Sequence, residues 1–470
     1  MLTWKSLLND ERRKDREKGN QQSLSANGRF EIERDYDRIL FSAPTRRLAD
    51  KTQVFPLDKN DSVRNRLTHS HEVSALARSI GLRLAYEHPE IFIDIESPAF
   101  IQRSVPALLA AIGLVHDLGN PPFGHQGEAA IQDWFKRNIH SVFGVSETTP
   151  SVFAKDFLNF DGNAQTVRLV SKLQILSDAY GLNLTYATLA ALIKYPISVN
   201  EKNDNLWKKQ GYFISEAEII TDVWGATGLS AGIRHPLTYI MEACDDIAYS
   251  VMDAEDTIKK GLASYYDLIR YLKLHCPNDP TTDHVIAAAE KKNEEFQATN
   301  LSPQEINDCS MQMFRVYAVT AMASSAVDSF KSNCEKIMNG EPIYKGIIAH
   351  SDSANLCKTL KKFDLNHGFK HKSVLELELN GNNYIKEMMD MLWIGIKGRL
   401  RQDNESNTPF GKYVYSRISE NYRRIFESPE NHLPENYKEA QLLADTISGM
   451  TDSYLIALHS ELKPLYDRRC

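Results

Sequence analysis

Apolar residues recur along most of this chain with the spacing of a buried helix face. In VPALLAAIGLVHD, Val105, Leu108, Leu109, Ile112 and Val115 fall three or four positions apart, with Pro106 suited to a first turn. HSHEVSALARSIGLRLAYE places Val73, Leu76, Ala77, Ile80 and Leu84 on one stripe. The segment after His235 does the same with Ile240, Cys244, Ile247, Val251 and Ile258, and residues 164–195 and 310–337 also read as helix. Strand-like alternation is confined to SVLELELNGNNYI. There Leu375, Leu377 and Leu379 alternate with Glu376 and Glu378 ahead of Asn380-Gly381, which predicts a hairpin at 373–385. The expected fold class is all-α, mainly helical, with at most that small β-hairpin.

Polar stretches suggest divisions. Residues 1–35 contain RRKDREKGNQQSLSANGR and read as a loose polar N-terminal arm. The loop CPNDPTTD, Cys276 to Asp283, separates a helical core over 36–275 from a C-terminal helical region over 284–470. That second region is expected to complete a substrate pocket and to carry oligomer contacts. No fixed-period repeat or low-complexity run is present.

Composition refines this picture modestly. With 470 residues, 42% hydrophobic and 25% charged, the chain can bury a large core. A net charge of -7 argues against a protein that is basic throughout, yet leaves room for a local basic pocket. No run of about 18 apolar residues stands out, so no membrane partner is expected. The start, MLTWKSLLNDERRKDREKG, lacks an apolar signal core. The six cysteines, Cys244, Cys276, Cys309, Cys334, Cys357 and Cys470, form no CxxC pair, which suits a reducing cytoplasm.

Three helical segments present metal-ligand side chains. One has His69 and His71 beside Arg64 and Arg66, the second ends in His116-Asp117, and the third carries Asp245-Asp246 with Tyr249 and Asp253. Asp245, Tyr249 and Asp253 would share one face of a regular helix. A single helical His is ordinarily a structural group, and an Asp pair is ordinarily a solvated face. His116-Asp117 resists that reading, because it ends a helix apolar for ten positions and burying both residues unpaired would cost several kcal/mol. Adjacent His and Asp can reach one ion, and mixed His/Asp ligation without Cys suits Mn²⁺, Mg²⁺ or Fe better than structural zinc.

His, then His-Asp, then Asp in that order resembles the HD superfamily of metal-dependent phosphohydrolases. Longer blocks sharpen the resemblance: Pro44–Val73, His116–Glu128 (HDLGNPPFGHQGE), Ile193–Pro196 (IKYP) and Met241–Asp256. These are similar to the deoxyguanosinetriphosphate triphosphohydrolases, or dGTPases, over roughly residues 30–260. The resemblance implies His69, His116, Asp117 and Asp245 as ligands to one divalent ion per site, Mn²⁺ or Mg²⁺. Asp245 is preferred to Asp246 because only it has a Tyr four and an acid eight positions later. The resemblance further implies Gln53, Arg66, Lys194, Tyr195, Tyr249 and Asp253 as substrate contacts and His125 with Glu128 as the catalytic pair. Asn120 stands where the sterile-alpha-motif branch has a second His in its His-Asp-Leu-Gly-His motif.

On this reading, water attacks the α-phosphate of dGTP or another dNTP, releasing deoxynucleoside and tripolyphosphate. His125 would protonate the leaving 5′-oxygen and Glu128 would orient it. The Asn120–Gly124 turn would swing His125 back beside the metal. Arg417, Arg423 and Arg424 read as a solvated helix face, with a single-stranded DNA contact as the sharper alternative. The family also implies a homo-oligomer, a hexamer by analogy, and nucleotide or DNA effectors. The rival readings are another HD phosphohydrolase, such as a nucleotide 5′-phosphatase or a phosphodiesterase, and a nucleic-acid-binding regulatory protein with an idle metal site.

Overall fold

The structure is a computed structural model that describes residues 1–19, 28–57, 60–146, 148, 150–174, 178–201, 206–399 and 408–468. Among the described residues there is no β-strand; extended pairing is limited to isolated bridges, Arg12 with Thr185 and Thr52 with Asn65. The architecture is helical throughout, as the periodicity predicts.

Two helices, Arg66–Glu87 and Pro98–Val115, form the centre of the molecule and run antiparallel. Glycines let them approach closely at two levels. A Cβ on Gly81 would lie 2.9 Å from Pro106 Cα, and one on Gly113 would lie 2.8 Å from Ser74 Cα. Ser74 Oγ also donates to the Ala110 carbonyl at 2.7 Å. This register carries His69 level with His116 and Asp117, so backbone contacts far from the site set its width. Pro106 therefore lies inside its helix rather than in a first turn, and the helix begins at Pro98 behind a Ser97 cap. The same helix has a mean hydropathy of 1.5 over 18 residues, long and apolar enough to cross a membrane by length and composition alone. It is 67% buried inside the protein and serves as a core helix, which corrects the expectation that no such run exists.

The expected hairpin at 373–385 is not formed. Those residues belong to one long helix, Lys372–Arg399. Its buried residues Val374, Gly381, Ile385, Met388 and Leu392 follow helical spacing, while Leu375 and Leu379 are 49% and 62% exposed. The alternation of Leu and Glu is therefore a coincidence of two good helix formers, and the buried stripe passes through Val374 and Gly381 on either side of them.

Residues 20–27 of the expected N-terminal arm lie outside the described residues, and 1–19 and 28–35 are less loose than their polarity suggests. Trp4, Leu7 and Leu8 are buried, with the Trp4 ring 4.7 Å from Phe92. Arg12 is buried too, ion-paired with Glu31 at 2.9 Å and Asp35 at 2.8 Å. The third metal-bearing segment is a helix over Pro236–Ile247, a wider π turn over Ala248–Met252, and a helix over Asp253–Lys259. Beside it lie helix Ala354–Asp364 and a second π turn, Leu365–Phe369.

Candidate active site

His116 follows the last residue of helix Pro98–Val115, and its Nδ1 donates to the Gly113 carbonyl at 2.7 Å. That bond leaves Nε2 as the free lone pair. His116 Nε2 lies 3.6 Å from Asp117 Oδ2 and 3.5 Å from Asp245 Oδ1. His69, on the facing helix, brings its Nε2 to 3.4 Å from the same Asp245 oxygen. Ligand atoms of His69, His116 and Asp117 all lie within 4.8 Å of one another. Both nitrogens of His69 and Nε2 of His116 are buried with no hydrogen-bond partner.

An unpartnered buried polar atom costs about 1–3 kcal/mol. The two Nε2 atoms that face Asp245, one from each ring, fit a divalent cation beside two carboxylates, which would use one lone pair from each imidazole. The carboxylates are held in place from behind. Asp117 Oδ1 accepts from Asn120 Nδ2 at 2.7 Å, and its Oδ2 pairs with the Arg66 guanidinium. Lys194 Nζ lies 3.1 Å from Asp245 Oδ2. Burial opposes ionisation of Asp117, but the Arg66 guanidinium outweighs it and holds its carboxyl below the usual range. Lys194 does the same for Asp245, whose charge keeps the buried Lys194 protonated in turn. Asp246 points elsewhere, to Lys361 Nζ at 2.5 Å.

His125 stands at the start of helix Gly124–Arg137 with its side chain 78% exposed. Its Nδ1 lies 3.0 Å from Glu128 Oε2, and this bond raises the imidazole above its ordinary pKa. Glu128 is buried and its Oε1 accepts from the Gly162 amide at 2.7 Å. Lys209 adds charge here, 3.6 Å from Glu128 and 2.8 Å from Asp161.

The remaining expected contacts lie around this centre. No hydrogen bond or ion pair among the described residues links Gln53, Tyr195, Tyr249 or Asp253 to the four clustered residues. Gln53 Oε1 and both Asp253 carboxyl oxygens are buried and unpartnered. Tyr195 meets Trp207 edge-on at 6.4 Å. Tyr249 packs against Phe369 at 5.7 Å, with Lys361 Nζ over its ring. The π turn Ala248–Met252 contains Tyr249 and separates Asp245 from Asp253. Arg417, Arg423 and Arg424 each sit within 4 Å of a neighbouring glutamate, at 3.3, 3.9 and 3.8 Å.

Asn120 and Lys209 were not singled out for these roles from the sequence. Asn120 carried a usable signal, an amide three positions beyond Asp117 at a helix end. Lys209 carried none, since its partners Glu128 and Asp161 come from distant segments.

Comparison with known proteins agrees with this geometry. The HD domain family matches residues 66–192. The chain is 35% identical over 474 residues to a deoxyguanosinetriphosphate triphosphohydrolase-like protein of Listeria monocytogenes, covering 99% of this chain and 100% of that one. A protein of the same description from Listeria innocua matches to the same extent, 35% over 474 residues. A probable deoxyguanosinetriphosphate triphosphohydrolase of Pseudomonas aeruginosa is 30% identical over 468 residues, covering 90% of this chain and 91% of its own. HD proteins of this kind bind a divalent metal, and the His69, His116 and Asp117 group is suited to hold it. With the HD match spanning three of the clustered residues and relatives alike from end to end, this chain belongs to the deoxyguanosinetriphosphate triphosphohydrolase family of the HD superfamily.

Proposed function

We propose that this HD phosphohydrolase cleaves dGTP, and other dNTPs less readily, at the α-phosphate to give deoxynucleoside and tripolyphosphate. The observation that carries the reading is the convergence of unpartnered His69 and His116 nitrogens with Asp117 and Asp245, next to an exposed His125 backed by Glu128. His69, His116, Asp117 and Asp245 are the ligands, with Mn²⁺ or Mg²⁺ as the ion. A bound divalent ion lowers the pKa of its water and neutralises a phosphate oxygen.

The chain's own residues supply the rest. Arg66 and Lys194, each already beside a ligand carboxylate, bring positive charge to the edge of the site for the triphosphate. His125, held protonated by Glu128, donates its proton to the departing 5′-oxygen of the deoxynucleoside. Glu128 fixes the ring through Nδ1 and leaves Nε2 to face the substrate. Gln53, Tyr195, Tyr249 and Asp253 line the sugar side, where buried polar atoms without partners reward a substrate that hydrogen-bonds to them. We place the protein in the cytoplasm as a homo-oligomer; the described cysteines are all free thiols, and exposed apolar side chains such as Phe41, Ile93 and Leu379 suit contacts between copies.

Product analysis tests this reading. With Mn²⁺, dGTP yields deoxyguanosine and tripolyphosphate in equal amounts, observed by phosphorus NMR and chromatography. Release of orthophosphate or pyrophosphate as the first product would assign the site to another HD reaction.

A further inference from the structure

The turn between the two halves of the site is held by a residue far along the chain. Phe123, ahead of Gly124 and His125, has a left-handed backbone with φ 59°, which a residue with a side chain rarely adopts. Local sequence therefore does not explain why the turn keeps this shape, and tertiary contacts must impose it. Two contacts do so. The Phe123 amide donates to Asp452 Oδ1 at 3.1 Å. Its ring lies against Gly381 of helix Lys372–Arg399, so closely that a Cβ there would come within 2.5 Å of the ring.

The other oxygen of Asp452 reaches the opposite limb of the site. Asp452 Oδ2 accepts from the Thr52 amide at 3.0 Å and from the Thr52 hydroxyl. The Thr52 carbonyl in turn accepts from Arg66 Nε at 3.1 Å and from Arg66 Nη2 at 2.7 Å. Arg66 then pairs with Asp117. One carboxylate, 2% exposed, thus spans the segment that presents His125 and the segment that seats Arg66. Lys51 braces the same joint, donating from Nζ to the Asn120 carbonyl at 2.6 Å and the Ser448 carbonyl at 2.7 Å.

We propose that Asp452 is a positioning residue for the reaction: it holds the Phe123 turn in its left-handed form and so sets where His125 stands relative to Arg66 and the metal-binding group. It touches neither substrate nor ligand residues. Its effect should fall on turnover, because a small displacement of a positioned acid costs rate while leaving ground-state binding largely intact.

The inference rests on His125 acting as the general acid, so the test separates the two. Asp452→Asn preserves volume but offers only one acceptor oxygen for the amides that Asp452 now serves. We expect kcat for dGTP to fall by about 10- to 100-fold, with KM and Mn²⁺ affinity changed by less than about threefold. Placed on His125→Ala, the same substitution should add little further loss, because its main route of action is already gone. Wild-type kcat in Asp452→Asn, or full multiplication of the two losses in the double variant, would overturn the proposal. Full activity in His125→Ala alone would instead overturn the general-acid reading. Should Asp452→Asn fail to fold, Gly381→Ala displaces the same turn from its ring side and is read by the same criteria.

Discussion

His125 and Glu128 divide one task between an exposed and a buried side chain. The imidazole meets solvent, while the carboxylate behind it is fixed by the Gly162 amide and flanked by Lys209. The hydrogen bond to Glu128 raises the His125 pKa. On the proposed general-acid role the protonated form is the active one, so kcat/KM should fall as pH rises through that raised value. Glu128→Gln removes the charge that favours the imidazolium, so the alkaline limb should move to lower pH and kcat should drop on the order of tenfold. A pH–rate profile checks this; a limb that stays in place would belong to another group. At this scale the sequence was informative because the chemistry is local. His116-Asp117 and His125/Glu128 lie within thirteen positions, and a Pro-Pro turn between them announces a change of direction.

Helices 66–87 and 98–115 were legible because their apolar stripes are long and regular, and their tight crossing was hidden because Gly81 and Gly113 declare nothing about their neighbours. The hairpin misreading has a similar origin. Period-two alternation in Leu375–Leu379 coexisted with a period-3.6 stripe through Val374, Gly381 and Ile385, and only the second faces the core. The π turn at Ala248–Met252 has no signature in the local sequence and packs beside the helix Ala354–Asp364. There Cys357 reaches Ser250 at 3.8 Å, Lys361 reaches Asp246, and Gly368 meets Thr257. Arg64 pins the far end of that element. It contacts Glu72 at 2.7 Å, Glu255 at 2.5 Å and Asp256 at 2.6 Å, all from a buried position. Burial pushes Asp256 up to about 6 even with Arg64 opposing it. Arg64→Met would strand two buried carboxylates and should destabilise the protein by about 3–5 kcal/mol. The denaturant midpoint should fall accordingly, and a change below about 1 kcal/mol would show the clip to be dispensable.

Across the whole molecule, segments distant in sequence share one core. Trp4 and Leu7 at one end of the chain are buried, and the Leu2 amide donates to the Met338 carbonyl at 2.7 Å. A run of charges after residue 10 concealed this, since the anchoring side chains before it are few. Trp4→Ala should therefore lower stability by about 3–5 kcal/mol, as for a large aromatic lost from a core. Thermal and denaturant unfolding measure the loss; an unchanged midpoint would restore the loose arm. Long-range pairing of this kind also explains why the residues that shape the Phe123 turn carry no signal in the sequence. Asp452 and Gly381 look unremarkable in sequence, and only the fold brings them to Phe123.

The bond between Phe123 and Asp452 spans 329 positions, and that distance sets a clock on the newborn chain. Synthesis proceeds from the N-terminus at about 5–20 residues per second, so roughly 16 to 66 seconds pass between making one partner and making the other. His69, His116 and Asp117 already exist when that interval begins and Asp245 is added within it, but the turn carrying His125 lacks its brace until the end. A nascent or prematurely terminated chain would hold the candidate site without its late anchor, and on the proposed positioning role turnover would reach its full value only once translation has passed Asp452.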